Sequence, residues 1–89
     1  KSDNTIFMIA QPNPFSEETT IIYNLGLTSN SADISIKILD VLGKVVKTIP
    51  LNSKSNSVSV SKGSLPSGIY FYGINVGGKM SKLEKLVVL

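Results

Sequence analysis

The sequence predicts an all-β protein, an antiparallel immunoglobulin-like β-sandwich of about seven strands. Ile, Val, Thr, Ser and Tyr dominate the interior of the chain, and helix signals are nearly absent. Turn residues recur about every ten positions, which is the spacing of short strands in an all-β domain. The chain has 89 residues, of which 42% are hydrophobic and 17% charged. This length and composition indicate one folded domain.

The strands are predicted from period-two alternation, because successive side chains on a strand point to opposite faces. In the clearest strand Ile34, Ile36 and Ile38 share one face. The clear strands are 19–25, 33–39, 57–61, 69–76 and 79–89, and the weaker ones are 5–10 and 44–49. From the alternation we expect these side chains in the core: Ile36, Ile38, Tyr70, Ile74 and Val87.

Turn residues separate the strands. Asp40 and Gly43 suit the first and fourth positions of a type I turn followed by a left-handed residue. Gly77 and Gly78 form a two-residue link between the last two strands, where a primed turn needs positive φ. Residues 65–68 lead into Tyr70, a placement typical of the corner where an immunoglobulin-like sandwich returns a tyrosine hydroxyl to the backbone.

Missing residue types exclude several kinds of site. The chain has no His and no Cys, so it lacks the usual ligands of zinc, haem and iron–sulfur clusters and the means to form disulfides. Its six acidic residues are dispersed, and no Ser stands in a nucleophile pattern. We therefore expect no catalytic residue, no metal site, no cofactor and no enzymatic activity.

The net charge of +3 comes from nine lysines that are scattered along the chain, with no arginine. Nucleic-acid binders usually gather their cations on one face, so we expect no nucleic-acid partner. No apolar stretch approaches the roughly 20 residues of a membrane helix, and the first residues show no signal-peptide pattern. Because the chain begins at Lys1, we expect it to be a piece of a longer protein.

Two segments go beyond what a plain core requires. Pro12, Asn13 and Pro14 make a stiff, extended entry before Phe15, since each proline fixes its own φ and disfavours helix in the preceding residue. At the other end the chain stops on the apolar segment 85–89. We expect this terminal strand to be accessible, with an open edge to which a partner can add a strand.

Four blocks, in order and suitably spaced, resemble the type A C-terminal sorting domain of the type IX (Por) secretion system. They are residues 12–15 with 20–23, then 36–46, 65–72 and 85–88. The resemblance implies a linker and possible first strand in residues 1–9 and a C-terminal sorting domain in residues 10–89. The positions that match the sorting motif are Pro12, Asn13, Pro14, Phe15, Gly43, Gly68, Tyr70, Lys85, Leu86, Val87 and Val88.

The resemblance implies that the domain is a sorting signal for a cargo domain upstream of it. Such a domain directs its cargo across the outer membrane of a Gram-negative bacterium, after the cargo has reached the periplasm. Its expected partners are the outer-membrane translocation machinery and a sortase-like peptidase that removes it. The cargo is then secreted or held at the cell surface.

An alternative from another class is an immunoglobulin-like accessory module that binds carbohydrate or bridges the domains of a secreted enzyme. A sugar platform needs solvent-facing aromatic rings, which Tyr23, Tyr70 or Tyr72 would have to supply. Alternation assigns all three tyrosines to the core, and a row of exposed aromatic side chains would favour this alternative.

Overall fold

The computed structural model describes residues 7–24, 34–51 and 56–89, and every regular element in these ranges is a β-strand. The strands are β1 (Phe7–Gln11), β2 (Glu18–Asn24), β3 (Ile34–Leu39), β4 (Val45–Pro50), β5 (Ser57–Ser61), β6 (Gly68–Val76), β7 (Lys79–Met80) and β8 (Glu84–Val88). The two weaker predicted strands are thus present as β1 and β4. The predicted strand residues Thr5, Ile6, Leu25 and Asp33 lie outside the described residues.

The strands form two antiparallel sheets that enclose the core. The smaller sheet has the order β1–β2–β5. In the larger sheet the order is β4–β3–β6, and the other edge of β6 is shared by β7 and β8. This arrangement confirms the predicted immunoglobulin-like β-sandwich, and it makes β6 the strand on which the larger sheet is assembled.

The core is formed by the inward faces of both sheets. Ile36, Ile38 and Ile74 have no exposed surface, and Tyr70 is 6% exposed, which confirms the predicted burial of these four side chains. Ile21 of β2 meets them from the smaller sheet with no exposed surface. Burying a side chain of this size contributes about 1.5–3 kcal/mol, so the alternating aliphatic residues supply most of the stability of so small a domain.

The predicted strand 79–89 is interrupted, and the interruption corrects one expected core residue. Ser81 donates its N–H to the Ile74 carbonyl (2.8 Å), while its hydroxyl accepts the Ile74 N–H (2.9 Å). Met80 pairs with Asn75, but Tyr72 pairs with Glu84, so the strand contains one extra residue between the two pairs. The chain therefore bulges at 81–83, and the predicted last strand is divided into β7 and β8. The described residues thus contain eight strands.

This extra residue makes the predicted burial of Val87 wrong. An uninterrupted hairpin from Gly77 and Gly78 would place Val87 toward the core and Leu86 toward solvent. The bulge shifts the register by one residue, and a one-residue shift exchanges the two faces of a strand. Leu86 is consequently 0% and Val88 2% exposed, whereas Val87 lies half-buried on the outer face.

The predicted turns are present. The Gly43 N–H donates to the Asp40 carbonyl (3.0 Å), and the Asp40 carboxylate accepts the N–H groups of Leu42 and Lys44. Gly43 has φ +88°, which a residue with a side chain rarely adopts, so glycine is required there. Gly77 and Gly78 also have positive φ, as a primed link requires.

The central aliphatic residues predict a simple stability test. Ile36→Ala should lower the free energy of unfolding by about 2–5 kcal/mol, because it empties a site with no exposed surface between the sheets. Ile69→Ala is the control in the same sheet, since Ile69 is 46% exposed; its effect should stay below about 1 kcal/mol. Urea denaturation followed by circular dichroism measures both, and equal losses would contradict this account of the core.

Candidate functional site

The C-terminal strand β8 is built into the larger sheet. It pairs antiparallel with the first half of β6, so that Gly68 lies opposite Val88 and Tyr70 opposite Leu86. Leu86 and Val88 point into the core and are 0% and 2% exposed. The apolar end of the chain therefore completes the hydrophobic core as well as one sheet.

The outer edge of β8 is covered by the side chain of Asn13. Its Nδ2–H donates to the Lys85 carbonyl (2.9 Å), and its Oδ1 accepts the Val87 N–H (3.0 Å). A primary amide offers both a donor and an acceptor, so one side chain can replace a length of neighbouring strand. Asn13 thereby joins parts of the chain that are more than seventy positions apart in sequence.

The backbone of Phe15 continues this pairing along β8. Its N–H donates to the Val87 carbonyl (3.0 Å), and its carbonyl accepts the Leu89 N–H (2.8 Å). Phe15 and Val88 thus form a parallel bridge. We call residues 13–15 the clasp. Because the clasp occupies the outer edge of β8 from Lys85 to Leu89, the predicted open edge of the terminal strand is wrong.

The clasp is itself fixed from both sides. The Phe15 ring lies in the core, 2% exposed, and the Pro12 carbonyl accepts the hydroxyl of Thr19 (2.6 Å), a residue that is 1% exposed. The peptide bonds before Pro12 and Pro14 are both cis. Over these residues the chain leaves β1 in the smaller sheet and reaches β8 in the larger one. The predicted stiff entry is therefore the crossing between the two sheets.

Gly68 and Tyr70 lie directly beside the clasped end of β8. Tyr70 donates its hydroxyl to the Pro66 carbonyl (2.6 Å), which confirms the predicted tyrosine corner. Gly68 starts β6 with φ +153°, a conformation that residues with side chains rarely adopt. The corner and the clasp therefore fix the opening of β6 and the end of β8 at the same place.

The turn that contains Gly43 lies at the same end of the larger sheet but one strand away. Leu39, which precedes the turn, pairs with Phe71, three residues after the start of β6. The tip of the turn presents two apolar side chains to solvent, Val41 at 66% and Leu42 at 90% exposure. The structure thus brings the residues of the expected sorting motif to one end of the sandwich, with Gly43 separated from the others by β3.

The described residues offer little reactive chemistry at this end. They contain no group of three or more metal-ligating side chains, and none of their elements is a helix with the length and apolarity of a membrane crossing. Burial raises the pKa of Tyr72, the nearby Glu84 carboxylate raises it further, and a hydrogen bond with the Ala10 backbone opposes both. Burial also raises the pKa of Tyr23. What the site presents is backbone pairing and apolar surface.

Sequence reasoning identified Asn13 but missed what it does. The motif of an asparagine between two prolines indicates a stiff segment, and nothing local identifies a partner near the other end of the chain. Thr19 was missed for a related reason, since a threonine in a strand is ordinary until its hydroxyl is seen to meet Pro12. Both roles depend on the sheet crossing, which only the assembled fold reveals.

The fold and the site define a β-sandwich module whose terminal strand is held on both edges. A family model for the secretion system C-terminal sorting domain matches residues 10–89, and the chain belongs to this family. It is a C-terminal sorting signal domain of type IX secretion, a family whose role is export to the cell surface or secretion.

A solved structure is similar in fold. The crystal structure of dimeric latent PorU from Porphyromonas gingivalis matches with a TM-score of 0.75 and 22% sequence identity. The match covers 96% of this chain and 9% of the PorU chain, so the domain corresponds to a small part of that protein. No curated protein sequence matches this chain.

The clasp predicts a specific loss of stability. Asn13→Ala removes both side-chain hydrogen bonds to β8 and should lower the free energy of unfolding by about 1–3 kcal/mol, since each net protein hydrogen bond contributes about 0.5–1.5 kcal/mol. The Val87 amide should exchange its hydrogen faster. Asn56→Ala is the matched control, because Asn56 bonds to Tyr23 through its backbone carbonyl. An unchanged Val87 exchange rate would refute the clasp.

The raised pKa of Tyr72 predicts the alkaline limit of the fold. In the unfolded chain the Tyr72 hydroxyl ionises near its ordinary pKa of 10.0, whereas in the folded chain the pKa is higher. The unfolded state therefore loses its proton first. This contribution to the free energy of unfolding is constant below pH 10.0 and falls as the pH rises toward the folded pKa. Denaturation across this range should show a smaller fall for Tyr72→Phe, and an equal fall would exclude this role of Tyr72.

Proposed function

We propose that this domain directs a fused cargo across the outer membrane by the type IX system and is cleaved from it afterwards. The observation that carries the proposal is the convergence at one end of the sandwich of the clasp, the start of β6 and the end of β8. A recognition surface composed of segments more than seventy positions apart in sequence exists only after folding. A partner that binds this surface would therefore recognise the domain only in its folded state.

The proposed partners are the outer-membrane translocation machinery and a sortase-like peptidase, with the cargo domain upstream. The proposed route runs through the periplasm of a Gram-negative bacterium to the cell surface or the medium. We also retain the division into a linker with first strand in residues 1–9 and a sorting domain in residues 10–89. The structure places β1 across that division, at Phe7–Gln11. The domain itself is proposed to have no catalytic activity.

The machinery is proposed to contact the apolar side chains exposed at this end. Leu42 is 90%, Val41 66% and Leu89 60% exposed. Leu86 and Val88 are buried, so they support this surface from inside the core. Among the motif residues, Lys85 alone combines an exposed charged side chain with a backbone carbonyl held by the clasp.

The carbohydrate-binding alternative is disfavoured by the positions of the aromatic rings. Tyr23, Tyr70 and Tyr72 are 3%, 6% and 2% exposed, and Phe15 is 2% exposed. Phe7 is the one aromatic side chain with more than half of its surface exposed. A sugar platform is not formed by a single ring, so sorting is the function that the surface supports.

Export of a fused reporter tests the proposal. A periplasm-targeted fluorescent protein followed by this chain should reach the surface or medium of a bacterium with a working type IX system, and should stay in the periplasm without the chain. Leu42→Ser should reduce export severalfold without lowering the free energy of unfolding, because Leu42 is already almost fully exposed. Cell fractionation with quantitative blotting measures the distribution.

Met80→Ser is the matched control, since Met80 is an exposed apolar residue at the far end of β6. It should export normally. Deleting residues 86–89 removes two buried side chains and should block export together with folding, which circular dichroism will detect. Normal export of the Leu42→Ser fusion would show that this end is not the recognition surface, and normal export of the deletion would overturn the proposal.

A further inference from the structure

Within residues 7–24, 34–51 and 56–89, no strand or clasp covers the outer edge of β1. Exposed strand edges are normally blocked by charge, proline, short length or a covering segment. In the larger sheet β4 carries Lys47 and ends at Pro50, β7 is two residues long, and β8 is covered by the clasp. The segment Phe7–Gln11 has no charged residue and no proline, and no described strand pairs with its outer edge.

The backbone groups on this edge can be identified from the pairing of β2. The backbone N–H and C=O groups of successive residues point to opposite edges of a strand. The Tyr23 N–H donates to the Asn56 carbonyl, next to β5, so the odd-numbered residues of β2 face β5 and the even-numbered residues face β1. Their partners in β1 are Phe7, Ile9 and Gln11. Met8 and Ala10 therefore direct their N–H and C=O groups away from β2, and the Ala10 backbone is hydrogen-bonded to Tyr72.

These groups face a groove of about 410 Å³ between β1 and the chain that leads into β8. We call it the β1 groove: Met8 and Ala10 form one wall, Tyr72 lies between the sheets, and Lys82, Glu84 and Lys85 form the opposite wall. Its volume is in the range of roughly 300–1,000 Å³ that is usual for ligand sites. It is partly open to solvent, so a peptide segment can enter it from outside.

We propose that the β1 groove binds an extended, acidic peptide segment of a partner protein, which pairs with the outer edge of β1. The Met8 backbone would supply a donor and an acceptor, and the Ala10 carbonyl a further acceptor. Phe7, at 53% exposure, and Ile9, at 38%, stand beside the edge and would contact apolar side chains of the peptide. This inference rests on the groove and is independent of the proposed sorting function.

The charge of the opposite wall selects the occupant. Lys82 and Lys85 are exposed and outnumber Glu84, so the wall is net positive and attracts carboxylates. A second copy of this chain fits less well, because the segment Phe7–Gln11 that it would bring to the edge carries no carboxylate.

Two synthetic peptides test the proposal by nuclear magnetic resonance on the ¹⁵N-labelled chain. One is a capped six-residue peptide of alternating valine and glutamate, and the other has lysine in place of glutamate. The glutamate peptide should cause saturable amide shifts at Met8, Ala10, Lys82 and Lys85, and the lysine peptide should bind more weakly. Lys82→Glu should weaken the affinity for the glutamate peptide by about threefold or more, because it replaces an attractive contact between exposed charges with a repulsive one.

Lys79→Glu is the matched control, because it makes the same charge change on β7 outside the groove, and it should change the affinity by less than Lys82→Glu does. Met8→Pro should abolish binding by removing the outward N–H while leaving the hydrogen bonds between β1 and β2 in place; its amide spectrum shows whether it is folded. Met8→Leu should bind normally.

Equal binding of the two peptides would show that the groove does not select acidic partners. Failure of the glutamate peptide to shift the groove amides at millimolar concentration would overturn the proposal. So would concentration-dependent self-association through β1 in the absence of peptide, since the occupant would then be a second copy.

Discussion

The hydrogen bonds on both edges of β8 are the constraint on which the rest of the structure depends. On one edge β8 continues the ladder of β6, and on the other it is held by Asn13 and Phe15. The clasp lies between β1 and β2, which both belong to the smaller sheet, and it bonds to β8 of the larger sheet. The same bonds that fix β8 therefore also fix the two sheets relative to one another. Because these bonds fix the register of β8, the side chains of Leu86 and Val88 are held in the core. A domain of this length buries a limited area, so the bonds between the clasp and β8 add to the stability that its small core supplies.

This closure requires the register of β8 to be correct, and the register is determined upstream at Ser81. The serine hydroxyl takes the Ile74 N–H that a backbone carbonyl would accept in a regular hairpin. The resulting bulge adds one residue, and it is this residue that directs Leu86 rather than Val87 into the core. With Val87 turned outward along the sheet, its N–H and C=O face the clasp and both find partners there. The bulge and the clasp are therefore two parts of one arrangement, because neither places β8 without the other.

The sequence predicts those features of the fold that depend on residues close together in the chain, and it does not predict those that depend on distant residues. Alternation within a strand identified Ile36, Ile38, Tyr70 and Ile74 as core residues, and local turn chemistry identified the role of Gly43. Tyr70 could also be assigned its corner, since its acceptor Pro66 is four positions away. The prediction for Val87 is wrong because the Ser81 side chain shifts the register between β7 and β8 by one residue. Alternation of apolar residues within a strand does not reveal such a shift. The clasp could not be predicted at all, because Asn13 meets Lys85 and Val87 across nearly the whole chain.

Two of the sheet edges, the outer edge of β8 and the outer edge of β1, differ in how their backbone groups are paired. Near the clasp, residues 13–15 have left the smaller sheet and satisfy the backbone of β8. Since the chain has crossed to the other sheet there, it cannot also cover the outer edge of β1, which remains beside a groove. No strand in the part of the chain that the structure describes pairs with this edge of β1. Ala10 is partly compensated by the hydroxyl of Tyr72, a side chain that the core already holds in place, while Met8 has no such neighbour on its outer side among the described residues. Among the described strands, the sandwich therefore combines a terminal strand that is held on both edges with a β1 edge that lies beside a groove and can pair with a partner.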